Sequence, residues 1–271
     1  MNASVNTVYG FGDRRLGSTL LVLLLASAVA ACGGGPEVDA VPPATGDAVR
    51  AERSVAACRS AITRPLGSAE RSYAAVVRGR ATAYRAPGGS ELAQFGAENV
   101  NGVPTVFAVR AQRLDSDCLP AWYRVQLPLK PNGITGWVRA EDVELAAVTT
   151  RVVVDLSERS VALFDRGRLV LETTAAIGAP GTPTPIGRYY VNQRLVPDDP
   201  NGPFGPGAIG ISAFSEVLTG WTQGGPIAIH GTNRPDLIGQ AVSTGCVRVR
   251  NDVLRTLFAR TRAGTPVTVR A

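Results

Sequence analysis

Short apolar runs, each cut off by glycine, proline or asparagine before a helical period can establish itself, leave this chain one broad solution: strands joined by turns. Its 271 residues include 30 glycines and 19 prolines, and 45% are apolar, enough to fill one or two ordinary cores. The expected fold is therefore mainly β. Strand-like runs lie at 74–77, 81–84, 105–109, 122–127 and 135–138, and such evenly spaced short strands fit a small barrel. From Thr149 a longer β-rich unit begins. Runs at 151–156 and 160–164 form a hairpin around Ser157-Glu158-Arg159, Asp165-Arg166-Gly167 turns the chain into 169–171, and 264–269 supplies a final strand. Two stretches depart from the β pattern: residues 48–62, with Cys58, are expected as a short helix of weak apolar spacing, and Val253, Leu254, Leu257 and Phe258 share a helical face, with Asn251 placed to cap that helix.

Two irregular segments stand out in the longer unit. Residues 176–190 alternate glycine and proline, which makes a rigid loop able to wall a groove. Residues 195–226, with Phe204, Phe214 and Trp221, lack periodicity and are expected as a lid or groove edge.

Ahead of both units the chain reads as an address and a tether. Arg14-Arg15, an apolar stretch from Leu20 to Ala26 and small residues up to Ala31 follow the order of an export signal, and the apolar stretch is too short for a membrane span. The ending Val29-Ala30-Ala31-Cys32 resembles the bacterial lipoprotein signal, in which Cys32 carries the lipid of the mature protein. The expected organisation is a signal peptide over 1–31, a flexible tether over 32–72, a small barrel over 73–146 and the longer unit over 149–271. Export places Cys58 and Cys118 where a disulfide forms, with two separate buried thiols as the alternative. The formal charge of +6 is carried almost wholly by arginine, Lys130 being the only lysine. No basic run with interleaved aromatics marks a nucleic-acid surface, and one histidine with no close cysteine pair gives no metal-ligand set. Neither metal nor cofactor is expected.

The chemistry-bearing residues lie close together. His230, the only histidine, ends the apolar run 226–230, and Cys246 follows in Ser243-Thr244-Gly245-Cys246. A thiol beside an imidazole can run acyl transfer through a covalent intermediate: the imidazole takes the thiol proton and returns it to the leaving amine. Gly245 permits a tight turn before the nucleophile, and the N–H groups of Gly245 and Cys246 are candidates to stabilise an oxyanion.

The residues Trp122-Tyr-Arg-Val-Gln-Leu127, Pro131-Asn-Gly133, Gly136-Trp137-Val138 and Glu141-Asp-Val143 resemble the closing hairpin of bacterial SH3-like domains, which accompany cell-wall enzymes. Large aromatics usually bury, so Trp122 and Trp137 are expected in that barrel's core. Asp155-Leu-Ser157, Gly181-Thr-Pro-Thr-Pro-Ile-Gly187, His230-Gly-Thr232 and Ser243-Thr-Gly-Cys246-Val-Arg248 together resemble the catalytic domain of the bacterial L,D-transpeptidases of YkuD type.

That resemblance implies a β-rich sandwich in which Cys246 attacks the diaminopimelate carbonyl of a peptidoglycan stem peptide, expels D-Ala and passes the acyl group to another stem's amine. It implies His230 as base, oriented by the Gly231 carbonyl, with Ser243 supporting the loop and Arg248 meeting a substrate carboxylate. Thr244 and Asn251 are the remaining candidates for substrate contact; many family members have histidine where Thr244 stands. With Cys32 lipidated, the protein would sit at the outer face of the cytoplasmic membrane. Three alternatives remain: an L,D-carboxypeptidase, a hydrolase of wall-linked protein using the same pair, and a lipid-anchored wall-binding protein without catalysis. NlpC-type endopeptidases also pair a cysteine with a histidine, but there the cysteine comes first.

Overall fold

The computed structural model describes residues 5–6, 62–218, 220 and 222–271. Cys32, Cys58, the short helix expected around it and the expected signal peptide lie outside these, apart from the backbone of Val5–Asn6 (β1), which pairs with residues 196–197.

The first sheet contains β2 (Thr63–Pro65), β3 (Ser72–Val77), β4 (Arg80–Tyr84), β5 (Glu91–Gly96), β6 (Val106–Leu114), β7 (Pro120–Gln126), β8 (Thr135–Arg139) and β9 (Val143–Val148). Its order is β5-β4-β8-β7-β6-β3-β9, with β2 beside β6 and every pairing antiparallel. Strand β2 draws the end of the expected tether into the sheet. Alternate residues point to one side, where Ala75, Val77, Ala83, Phe107, Val109, Tyr123, Val125 and Val138 form one core. Trp122 and Trp137 are not in it. Their neighbours Tyr123 and Val138 take the inward positions, and period-2 alternation turns both indoles outward. Trp122 instead meets Tyr84 edge-on at 5.6 Å and carries the Arg139 guanidinium 5.4 Å above its ring.

The second sheet is built from β10 (Thr150–Asp155), β11 (Ser160–Asp165), β12 (Arg168–Thr174), β14 (Gly187–Pro197), β15 (Ala208–Phe214), β16 (Pro226–His230), β18 (Val247–Arg248) and β19 (Pro266–Arg270), in the order β12-β11-β10-β19-β14-β15-β16-β18. A two-stranded parallel ladder joins β13 (Ile177–Gly178) to β17 (Ala241–Ser243). The helix α1 (Asn251–Arg260) buries Leu254 and Leu257 against the sheet, with Val253 and Phe258 half-buried on the same face. Its N-cap is Arg250 rather than Asn251, because Asn251 already has helical position and spends its side chain elsewhere. Within the expected irregular segment 195–226, β14 runs to Pro197, β15 crosses at Ala208–Phe214 and β16 begins at Pro226, while most of the described residues between them are loop as expected; Trp221 lies outside the described residues.

Asp155 explains the Asp-Leu-Ser motif in local terms. Its Oδ1 accepts from Ser157 Oγ at 2.8 Å and Glu158 N–H at 3.0 Å, while Oδ2 meets Arg270 Nε at 2.8 Å. The carboxyl fixes the β10–β11 bend, and those donors, the Glu158 amide foremost, hold its pKa below the usual carboxylate range.

The two sheets are docked through polar side chains. Gln126 Nε2 donates to the Arg188 carbonyl at 2.8 Å, Lys130 Nζ to that of Ser215 at 3.0 Å, and Asn132 exchanges two hydrogen bonds with the Phe214 backbone. Amides of Asn99 and Asn101 both donate to Gln193 Oε1.

Candidate active site

Strands β16 and β18 run parallel, with Ile229 opposite Val247 and His230 opposite Arg248. Ile227, Ile229, Val247 and Val249 all enter the core, so alternation sends Ala228, His230, Cys246 and Arg248 to the opposite face. One register therefore brings the imidazole, the thiol and a guanidinium together. The Ala228 backbone faces the Cys246 sulfur and favours its thiolate, which places the thiol beside β16 two residues before His230.

His230 is 3% exposed, and its Nδ1 lies 2.6 Å from the Gly231 carbonyl oxygen. A carbonyl only accepts, so Nδ1 carries the proton and Nε2 is left as the free base. Phe204 covers the ring with centroids 4.9 Å apart. Burial is the main cause that pushes the imidazole pKa down to about 4; the Gly231 bond opposes it and the Arg248 charge adds to it. Cys246 is half-buried, and burial raises its thiol pKa against the opposing pull of the Ala228 backbone bond and the Arg248 charge. The resting pair is thus neutral thiol and neutral imidazole. Among the described residues no hydrogen bond joins the two, so the thiol must turn toward Nε2 when it reacts.

The loop before the nucleophile is held from several sides. Ser243, 1% exposed, donates its hydroxyl to the Cys246 carbonyl at 2.5 Å and accepts the Gly245 N–H at 3.2 Å. Gly245 has φ +111°, and a Cβ there would stand 2.9 Å from Ile227 Cδ1, so both conformation and space require glycine. The Gly/Pro-rich loop forms the adjoining wall: Thr182 Oγ1 donates to the Ser243 carbonyl at 2.9 Å, and Thr184 Oγ1 accepts the Gly178 N–H at 3.0 Å. Threonine hydroxyls thus tie this loop down and join it to the nucleophile loop.

Behind His230 the chain is pinned by Asn251, whose Oδ1 accepts the Thr232 N–H at 2.8 Å. Gly205 and Gly231 pack so closely against this amide that a side chain at either position would collide with it. Arg248 reaches the site face with its Nε buried and, among the described residues, without a hydrogen-bond partner. Thr244 is exposed. The structure thus gathers Cys246, His230, Gly231, Ser243, Gly245, Arg248 and Asn251 into one place. Asn251 serves there by positioning the His230 segment. The sequence placed Phe204 only within a lid or groove edge and Thr182 only within a rigid loop; the stacking of Phe204 on His230 and the Thr182 bond to Ser243 depend on partners distant in the chain.

Residues 149–269 match the family model of the L,D-transpeptidase catalytic domain, YkuD. The chain is 34% identical over 119 residues to YkuD of Bacillus licheniformis and 31% identical over 118 residues to YkuD of Bacillus subtilis, both bearing an L,D-transpeptidase name. Each of these matches covers 44% of this chain and 64% of the relative, so the chain spans somewhat less than two thirds of either relative's length. The solved catalytic domain of the Enterococcus faecium L,D-transpeptidase is 27% identical, with 45% of this chain and 96% of that one covered at a TM-score of 0.33. The stretch of this chain that holds both His230 and Cys246 is a match to the L,D-transpeptidase catalytic-domain family.

Proposed function

We propose that the protein is a cysteine L,D-transpeptidase that cross-links peptidoglycan stem peptides. The observation that carries this reading is the His230 arrangement: a buried imidazole whose Nδ1–H is spent on Gly231, leaving a neutral Nε2 base on the same sheet face as a free thiol. Cys246 Sγ attacks the diaminopimelate carbonyl as its proton passes to Nε2. The tetrahedral oxyanion collapses, the bond to D-Ala breaks, and the imidazolium returns the proton to the departing amine. An acceptor stem's amine then attacks the thioester, gives a proton to Nε2, and leaves Cys246 as thiol once that proton returns to sulfur.

Because Gly245 N–H is already donated to Ser243, stabilisation of the oxyanion falls to the Cys246 N–H. The unpartnered Nε of Arg248 is a donor for a substrate carboxylate, and the Arg248 charge favours the thiolate as it forms. Thr244, exposed on the loop, is the remaining candidate for substrate contact.

In the same reading, residues 1–31 direct export and Cys32 anchors the chain to the outer face of the cytoplasmic membrane. The first sheet serves as an SH3-like wall-associated module over 73–146, the catalytic unit spans 149–271, and Cys58 pairs with Cys118. Replacing Cys32 by serine should release the protein from membranes; unchanged retention would remove the anchor from this account. The reaction is tested by incubating the protein with a diaminopimelate-containing tetrapeptide and reading products by mass spectrometry. The expected product is a dimer lacking one D-Ala, absent with Cys246→Ala. Tripeptide plus D-Ala alone would replace transfer by hydrolysis.

A further inference from the structure

Between the two sheets lies a pocket of about 440 Å³, lined by Arg110, Gln126 and Thr135 from the first sheet and by Arg188, Tyr189 and the exposed Glu216 from the second. Arg110 occupies this place because β6 is irregular. Val109 faces Val125 and Ala111 faces Arg124, so Arg110 is the extra residue of a bulge. A bulge re-aims a side chain, and here the guanidinium points out of the ladder into the pocket.

Arg110 is held by a neutral group. One Nη donates to Gln126 Oε1, and Gln126, itself 2% exposed, donates onward to the Arg188 carbonyl at 2.8 Å. Among the described residues, no carboxylate lies within ion-pair distance of either arginine. Burial lowers the Arg110 pKa first, and the nearby Arg188 charge lowers it further, while Tyr190 opposes. Arg110 is half-buried on an amide scaffold beside the exposed Arg188, and a half-buried guanidinium without a carboxylate partner is costly until an anion completes it. Their planar forks match a carboxylate. Arg188 and Tyr189 also directly follow the loop 181–187 that braces Ser243, so the pocket adjoins the wall of the nucleophile loop.

We infer that this pocket binds a carboxylate, and that, on the function proposed above, it seats a carboxylate of the acceptor stem peptide. Glu216 at its rim limits the affinity for that anion.

The test is titration calorimetry of the full chain with a tripeptide ending in diaminopimelate, beside the same peptide with every carboxylate amidated. Arg188→Gln should weaken binding of the free-acid peptide by about tenfold or more, and Glu216→Gln should tighten it several fold. The amidated peptide should bind far more weakly to the wild type. Arg110→Gln should abolish binding; if that buried change prevents folding, the two exposed positions carry the test. Unchanged affinity in both Arg188→Gln and Glu216→Gln, equal binding of the amidated peptide, or no saturable binding to the wild type would overturn the site. The readout needs no turnover. A chain that binds through Arg188 but forms no cross-link keeps the site and loses the proposed reaction, whereas one that cross-links with its acceptor KM unmoved by Arg188→Gln does the reverse.

Discussion

Among the described residues the first sheet buries two polar side chains, Thr105 and Gln126, whereas the second buries nine, including Asp155, Thr184, His230, Thr232 and Ser243. Both sheets are made of short alternating strands, so the difference does not come from the strand pattern. It comes from where hydrogen-bond partners are placed. Burying a polar group without a partner is costly, and the second sheet supplies partners one by one: Gly231 for His230, Cys246 and Gly245 for Ser243, Gly178 for Thr184. Beside a hydrophobic core of its own, the second sheet carries a site held by hydrogen bonds, while the first sheet has a hydrophobic core with its tryptophans outside.

The sharpest break of that contrast would come from the first sheet. Phe107, fully buried, should cost about 3 to 5 kcal/mol when replaced by alanine, whereas Trp122→Ala and Trp137→Ala should cost less than half of that despite the larger ring. Urea unfolding measures all three. Equal losses would put the indoles back in the core.

In the second sheet the buried imidazole makes stability depend on pH. The folded pKa of about 4 lies below the ordinary value of 6.5, so the unfolded chain takes up the proton first as pH falls. The contribution of the neutral imidazole is fully present above about pH 6.5 and shrinks by about 3 kcal/mol as pH drops to about 4. His230→Gln should flatten that part of the stability curve, as read by unfolding at several pH values; an unchanged slope would mean the imidazole is not held neutral. The same shift predicts that acyl transfer keeps its active base well below pH 6.5.

A smaller effect is expected at Asn251. Alanine there strips the acceptor from the buried Thr232 N–H, at a cost of about 1 to 3 kcal/mol, and loosens the segment behind His230. The turnover number should fall more than substrate affinity. A change in KM alone would make Asn251 a substrate contact rather than a positioning residue.

Many of the strands and the Cys246–His230 pair were legible in the sequence, because period-2 alternation and a solitary histidine do not depend on distant residues, whereas β5 and β15 were not read as strands. The helical face of α1 was legible for the same local reason. What escaped was set by partners far along the chain. Asn251 looked like a cap until Thr232, 19 residues away, claimed its carbonyl. The bulge at Arg110 exists only relative to β7, and no local pattern announces it. Trp122 and Trp137 follow the general habit of aromatics only until strand parity, fixed by Tyr123 and Val138, turns them outward.

In the proposed reaction Cys246 is an activated nucleophile beside a neutral His230 base. Intact mass spectrometry of the protein exposed to a carbapenem, an acyl donor resembling those this family takes, tests it most directly. One covalent adduct is expected on the folded wild type, none on Cys246→Ala, and formation slowed by orders of magnitude in His230→Ala. An adduct that survives Cys246→Ala, or a folded wild type that forms none, would contradict it.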